Sequence, residues 1–135
     1  MVSKKSFKDA KKKALRLAVT AIGKKGFNLI ILEIGKVNPF TDYFLLISGR
    51  SDRHVQAIAD ALYEDLKKKM DGVLGVEGYE EGKWVLIDGG DVIIHIFQET
   101  VRKYYDLEGL WIDAPRVPVD EKKKVAPTGK GVAGF

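Results

Sequence analysis

The sequence has no cysteine, two histidines, two methionines and four prolines in 135 residues, and each scarcity removes a class of explanation. Without cysteine there is no disulfide, no thiolate nucleophile and no sulfur-ligated zinc, and nothing calls for an oxidising compartment. No apolar run approaches the roughly 20 residues that span a bilayer, so no membrane partner is expected. The opening stretch MVSKKSFKDAKKK has lysines but no uninterrupted apolar core behind them, which argues against a secretory signal. Together these absences point to the cytoplasm. What is present is ordinary for one globular domain: 45% hydrophobic and 31% charged residues, enough to bury a real core.

The net charge of +4 conceals a division. Met1–Lys25 carries eight Lys and Arg16 against Asp9, a net +8, and Pro118–Phe135 carries four Lys against Asp120 and Glu121, a net +2. Gly26–Val117 between them is −6. Basic ends of this kind either touch RNA phosphate or form a solvated helix face and a soluble tail, and the residues alone leave both open.

Hydrophobic spacing gives the organisation. Ala10, Ala14, Leu17, Ala18, Ala21 and Ile22 recur at helical intervals behind Ser6–Asp9, which resembles a capping box, and Gly23 or Gly26 can end the helix. Its lysines, Lys11, Lys12 and Lys13 among them, fall on the opposite, exposed face. Phe27–Ile34 and Tyr43–Ser48 read as strands. A helix capped by Ser51 or Asp52 buries Val55, Ile58, Ala59, Leu62 and Leu66, and stops at the lysines before Gly72. Val73–Glu77 is a third strand. Trp84–Asp88 and Asp91–Phe97 form a hairpin across Gly89-Gly90. Val92, Ile94 and Ile96 lie on one face of the last strand, and Ile93, His95 and Phe97 on the other, so that strand is internal. Gln98–Tyr105 closes with a short helix. The order is α-β-β-α-β-β-β-α, an α/β (α+β) fold with a single mixed five-stranded sheet flanked by helices. Residues 1–117 form the domain, and 118–135, lacking periodicity, read as a disordered tail.

No catalytic constellation assembles. Ser48-Gly49-Arg50-Ser51 joins a strand to a helix, but without the spacing of a phosphate-binding loop, so a turn and an N-cap account for it. Asp88 and Asp91 bracket the hairpin turn. A magnesium site for nucleotidyl transfer needs acids at alternate strand positions, and the residue two beyond Asp91 is Ile93, which cannot ligate. No metal or other cofactor is therefore expected. His95 reads as a buried, hydrogen-bonded core residue and His54 as an exposed one. Gly78–Asp113, by contrast, combines Trp84, Tyr104, Tyr105 and Trp111 with a net charge of −5. Aromatics amid one sign of charge suit a surface that docks a basic partner.

Three blocks carry a resemblance: TDYFLLISGRSDRHVQAIADAL (Thr41–Leu62), WVLIDGGDVIIHIF (Trp84–Phe97) and RKYYDLEGLWIDAP (Arg102–Pro115). In order and spacing they resemble the signature of the ribosomal silencing factor, or Iojap, family, over nearly all of the chain from the first helix to Pro115. The family pattern carries a larger residue where Gly89 stands in the D-x-G-D turn, which leaves that turn freer here, and the tail has no counterpart in these blocks. The resemblance implies a nucleotidyltransferase-like fold without the catalytic acids, and therefore a protein that is not an enzyme. It also implies binding to the large ribosomal subunit through large-subunit protein fourteen. Joining of the small subunit would then be blocked sterically, repressing translation under nutrient limitation. Matching the blocks residue by residue implies a contact surface of Trp84, Asp88, Asp91, Tyr105, Leu107, Glu108, Leu110 and Trp111. Minor ribosomal RNA contact through the basic ends and a homodimer of the free protein are compatible with it. Two rivals stand beside this reading: a nucleotidyltransferase-like nucleotide-binding enzyme, and an RNA-binding module using the Lys-rich first helix.

Overall fold

The computed structural model describes the chain from Lys4 to Asp120, with side chains from Asp9 onward. Helix α1 (Lys4–Gly23) starts before Ser6, which places that residue within the helix and not at its N-cap position. Ala10, Ala14, Leu17, Ala18 and Ala21 are buried, and four of these five are alanines, which lets the helix axis approach the sheet closely. Lys13, expected on the exposed face, is instead buried: its Nζ donates to Gly89 O at 2.8 Å and pairs with Asp91 at 2.7 Å. Its long stem crosses apolar surface to reach two acceptors at the β-hairpin turn, a placement that charge patterning alone does not reveal.

Six strands form one sheet: β1 (Phe27–Glu33), β2 (Tyr43–Gly49), β3 (Gly75–Glu77), β4 (Trp84–Asp88), β5 (Val92–Gln98) and β6 (Arg116–Val117). Their spatial order is β3-β4-β5-β2-β1-β6, and β2 with β5 is the parallel pair among antiparallel neighbours. The sixth strand is a correction to the expected five. It has two residues, too few to show alternation, and the prolines at 115 and 118 disguise it. β5 is internal, as its two apolar faces require, and every residue of its neighbour β2 is buried.

Helix α2 (Asp52–Lys68) begins at Ser51, whose hydroxyl accepts from His54 N at 3.1 Å. It lies with α1 on one face of the sheet, over Ile31, Leu45, Ile47, Val85, Ile87, Val92, Ile94 and Ile96. Arg16 ties the two helices together through Asp65 at 2.7 Å and Asp71 at 2.6 Å. The opposite face carries Leu32, Ile34, Phe44, Leu46 and Phe97. It is crossed by α3 (Glu99–Tyr105) and the single turn α4 (Leu107–Leu110). That turn was not read from the sequence, since four residues are shorter than any amphipathic period can register.

The β4–β5 turn lies one residue later than expected. Trp84 faces Phe97 and Asp88 faces Ile93, so Gly90 and Asp91 stand at the corner, and Gly90 takes the positive φ of 86°. Gly89 remains in the ladder, its N–H donating to Val92 O at 3.0 Å. Past β6, Val119 packs on the α1 side of the core. Residues 121–135 of the segment expected as a tail lie outside the described residues.

Candidate functional site

β4 and β5 present alternate residues to the face opposite α1 and α2, and this alternation places Trp84, His95 and Phe97 side by side. The Trp84 ring lies 4.9 Å from Phe97, 5.9 Å from His95 and 5.1 Å from Tyr105 on α3. His95 meets Phe44 of β2 at 4.8 Å, and Phe44 meets Trp111, edge to face, at 5.8 Å. Tyr104 adds a T-shaped contact with Tyr105 at 5.0 Å. The result is an unbroken aromatic ladder from Tyr104 across the sheet to Trp111. Contacts of this geometry each add about 0.5–1.5 kcal/mol beyond area burial. Phe44 and His95 are the middle rungs, and neither was among the expected site residues. Their signal lay in the register: Phe44 pairs with Ile93 and Leu46 with His95 across the parallel strands.

His95 is 5% exposed, and its Nδ1 accepts the Trp84 indole N–H at 3.1 Å. The neutral imidazole therefore carries its proton on Nε2, which has no hydrogen-bond partner among the described residues. Burial drives its pKa down to about 4. A proton added at Nδ1 would also confront the indole N–H, donor against donor. The arrangement fixes the Trp84 plane and removes its N–H from competition for external acceptors. His54, expected to be exposed, is half-buried and bridges two loops: Nδ1 accepts from Arg50 N at 2.9 Å and Nε2 lies 2.8 Å from Lys24 O.

Beneath α3 and α4 sits Arg102, only 4% exposed. Its Nη1 donates to Asn28 O at 2.6 Å and Ser48 Oγ at 2.8 Å, and its Nη2 and Nε hold both oxygens of Glu108 at 3.0 and 3.3 Å. One guanidinium thus clamps β1, β2, α3 and α4, using the planar fork that lysine lacks. Asp106, at φ 47° between the helices, accepts from Gly109 N at 3.2 Å, so the chain turns sharply there and sends Leu107 inward and Leu110 outward.

The structure brings together five of the eight expected contact residues, Trp84, Tyr105, Leu107, Leu110 and Trp111, on this one face. Tyr105 is 56% and Leu110 73% exposed, while Trp84 and Trp111 are partly covered. Glu108 is engaged by Arg102. Asp88 stands at the far end of β4, its Oδ1 accepting Gly90 N at 2.9 Å, which is turn capping. Asp91 is not brought to the face, because its carboxylate points to Lys13 on α1. Asp91 also raises the pKa of Asp42, after the larger effect of burial. Beside the face, Gly78, Glu81, Lys83, Trp84, Val101 and Tyr105 line an open groove of about 290 Å³. Ile112, next to Trp111, is 73% exposed and adds to the apolar surface beyond the expected set. Among the described residues no group of three His, Asp or Glu is placed to hold a metal ion.

A family model described as "Ribosomal silencing factor during starvation" matches residues 7–132, and so extends into the stretch where the signature blocks offered no counterpart. This chain belongs to the ribosomal silencing factor family. It is 41% identical over 107 residues to the ribosomal silencing factor RsfS of Halalkalibacterium halodurans, covering 78% of this chain and 92% of that protein. The RsfS of Bacillus subtilis is 38% identical over 110 residues, covering 81% and 93%. A crystal structure of a Chromobacterium violaceum protein superposes with a TM-score of 0.72 at 31% identity, over 90% of this chain and 97% of that one. The silencing-factor ladder therefore sits on a fold shared with solved structures, and no helix among its described residues is long and apolar enough to cross a membrane.

Proposed function

We propose that this silencing factor docks on the large ribosomal subunit through its aromatic face, with large-subunit protein fourteen as the partner. A body of this size on the intersubunit surface excludes the small subunit and represses translation when nutrients are short, acting in the cytoplasm and catalysing no reaction. The single observation that supports this most is the Tyr104–Trp111 ladder, exposed at Tyr104 and Tyr105, with exposed Leu110 beside Trp111, Glu81 lining the groove next to Trp84, and Asp106 and Asp113 in the same segment. Aromatic anchors with an acidic rim complement a basic protein surface, and such anchors commonly contribute about 2–4 kcal/mol each when truncated. Trp84, Tyr105, Leu107, Leu110 and Trp111 form the proposed contact. Asp88 lies at its edge, and Asp91 and Glu108 act through the intramolecular pairs that shape it. The same uncovered face gives the free protein a surface for homodimer formation.

The RNA reading retains one supporting observation: Lys11, Lys12, Lys24 and Lys25 are exposed on and after α1. Lys13, committed to Asp91, does not join them. These lysines supply a minor contact to ribosomal RNA phosphate.

Gradient sedimentation of purified subunits with the protein tests the proposal. The wild type is expected to travel with the large subunit, and Leu110→Asp, an exposed change that leaves the core intact, to stay at the top. Co-sedimentation of Leu110→Asp and Trp84→Ala at wild-type occupancy would show that another face does the docking. Saturable calorimetric binding of magnesium and a nucleoside triphosphate would instead favour the enzyme reading.

A further inference from the structure

The outer edge of the sheet at β3 has a composition that the docking face does not explain. β3 is the terminal strand, paired to β4 through Gly75–Asp88, Val76–Ile87 and Glu77–Leu86, with no strand neighbour beyond it among the described residues. Proteins commonly blunt such an edge with short length, a charged side chain, proline or a bulge. β3 has only three residues and one charge, Glu77, so it is guarded against a like-charged strand but carries no lysine, proline or bulge. Leu74 is 76% and Val76 39% exposed at alternate positions, and Met70, just before them, is 90% exposed. A groove of about 310 Å³ opens beside the strand between Tyr63 and Tyr79, with Ala59, Val76 and Ile87 as its floor and Asp60 at its rim. The Tyr79 loop is held against α2 by Gln56, whose Nε2 donates to Tyr79 O at 2.8 Å and Glu80 O at 3.2 Å. The groove is therefore a fixed feature of the edge.

The charge around it has mostly one sign. Asp60, Glu64, Glu77 and Glu80 are all exposed here, while the cation facing the groove, Lys67, lies 5.6 Å from the Tyr63 ring centre. A second copy pairing edge to edge would set Glu77 and Glu80 against their own kind, which is unfavourable across strands. An incoming segment with lysines reverses that sign.

We propose that β3 accepts an extended, lysine-bearing segment of a partner protein as an additional strand of the sheet. Backbone hydrogen bonds to the free edge hold the segment. Apolar side chains at its alternate positions cover Leu74 and Val76 and enter the Tyr63–Tyr79 groove, and its lysines meet the glutamates. The surface is separate from the aromatic face, so the proposal stands or falls independently of large-subunit docking.

The test is titration of the full-length protein with a short synthetic peptide alternating Val and Lys, followed by amide chemical shifts and hydrogen exchange. Saturable shifts and new protection confined to Leu74–Tyr79 are expected, with Trp84→Ala binding unchanged. Val76→Lys, an exposed change, and Glu77→Lys should each raise Kd by about tenfold, and a Val–Glu peptide should not bind. The proposal is overturned if the Val–Glu peptide binds equally, or if the shifts fall elsewhere. It is overturned too if those amides of Gly75–Glu77 that face away from β4 are already protected without peptide, whether by a second copy (protection rising with concentration) or by residues 121–135 (protection lost on their deletion).

Discussion

Protonation of His95 requires breaking its bond to the Trp84 indole and charging a ring enclosed by Phe44, Phe97 and Trp84. Burial accordingly holds its folded pKa at about 4, against an ordinary value of 6.5. Between these two values the unfolded chain binds a proton that the folded chain does not, so stability rises with pH across that window and is lost as pH falls through it. The difference corresponds to about 3 kcal/mol at most. Denaturant unfolding of wild type and His95→Phe from neutral pH down to about 4 should show the wild type losing more stability than the variant by an amount of this order. Parallel curves would mean that the imidazole is not desolvated. The burial of His95 was legible in the sequence, from an isolated polar residue in an apolar alternation. Its contact with Phe44 was not, because nothing local says that β2 lies beside β5.

Both long helices on the core face end in the same way, and neither uses the glycine that the sequence offered. After α1, Lys25 N donates to Ile22 O at 2.9 Å and Gly26 N to Ala21 O at 2.9 Å, with Lys25 at φ 67°. After α2, Met70 N donates to Lys67 O at 3.1 Å and Asp71 N to Leu66 O at 3.0 Å, with Met70 at φ 59°. These are Schellman caps whose left-handed residue carries a side chain, a conformation that costs roughly 1–2 kcal/mol in a residue other than glycine. Lys25→Gly and Met70→Gly should each stabilise the protein by up to about 1 kcal/mol, after the entropy glycine loses on folding. The check is a higher denaturant midpoint at unchanged slope. Gly26 was the attractive terminator in the sequence, yet its tertiary role is proximity: a Cβ there would lie 2.7 Å from Ile47 Cγ2. Periodicity located both helices because burial of one face repeats every turn. It could not locate their left-handed residues, since the last turn is set by where the chain must go next.

At the scale of the molecule, the sheet separates two surfaces. The aromatic ladder and its acids lie on one side, and α1 with its exposed lysines lies on the other. The proposed docking by the acidic side onto a basic protein has a kinetic signature, because long-range attraction acts on encounter and close packing on residence. Raising the salt concentration should slow association of this silencing factor with large subunits while changing dissociation little. Leu110→Ala should do the reverse, and surface-immobilised subunits can separate the two rates. An α1-led RNA contact would invert the result, with neutralisation of Lys11 and Lys12 removing most of the salt dependence.

What the sequence determined by itself was whatever repeats locally: the helix and strand types, the internal position of β5, and the family blocks. Contacts between distant segments were decided by the tertiary structure alone. Lys13 closes on Asp91 across 78 positions and Arg102 reaches Asn28 across 74, and Trp111 comes to rest on Phe44 only because α4 folds back over the sheet. The physical reason is that alternation and helical period report which way a side chain faces. Which strand becomes its neighbour is settled when the parallel β2–β5 pair forms, and that pairing sets the order of the whole sheet.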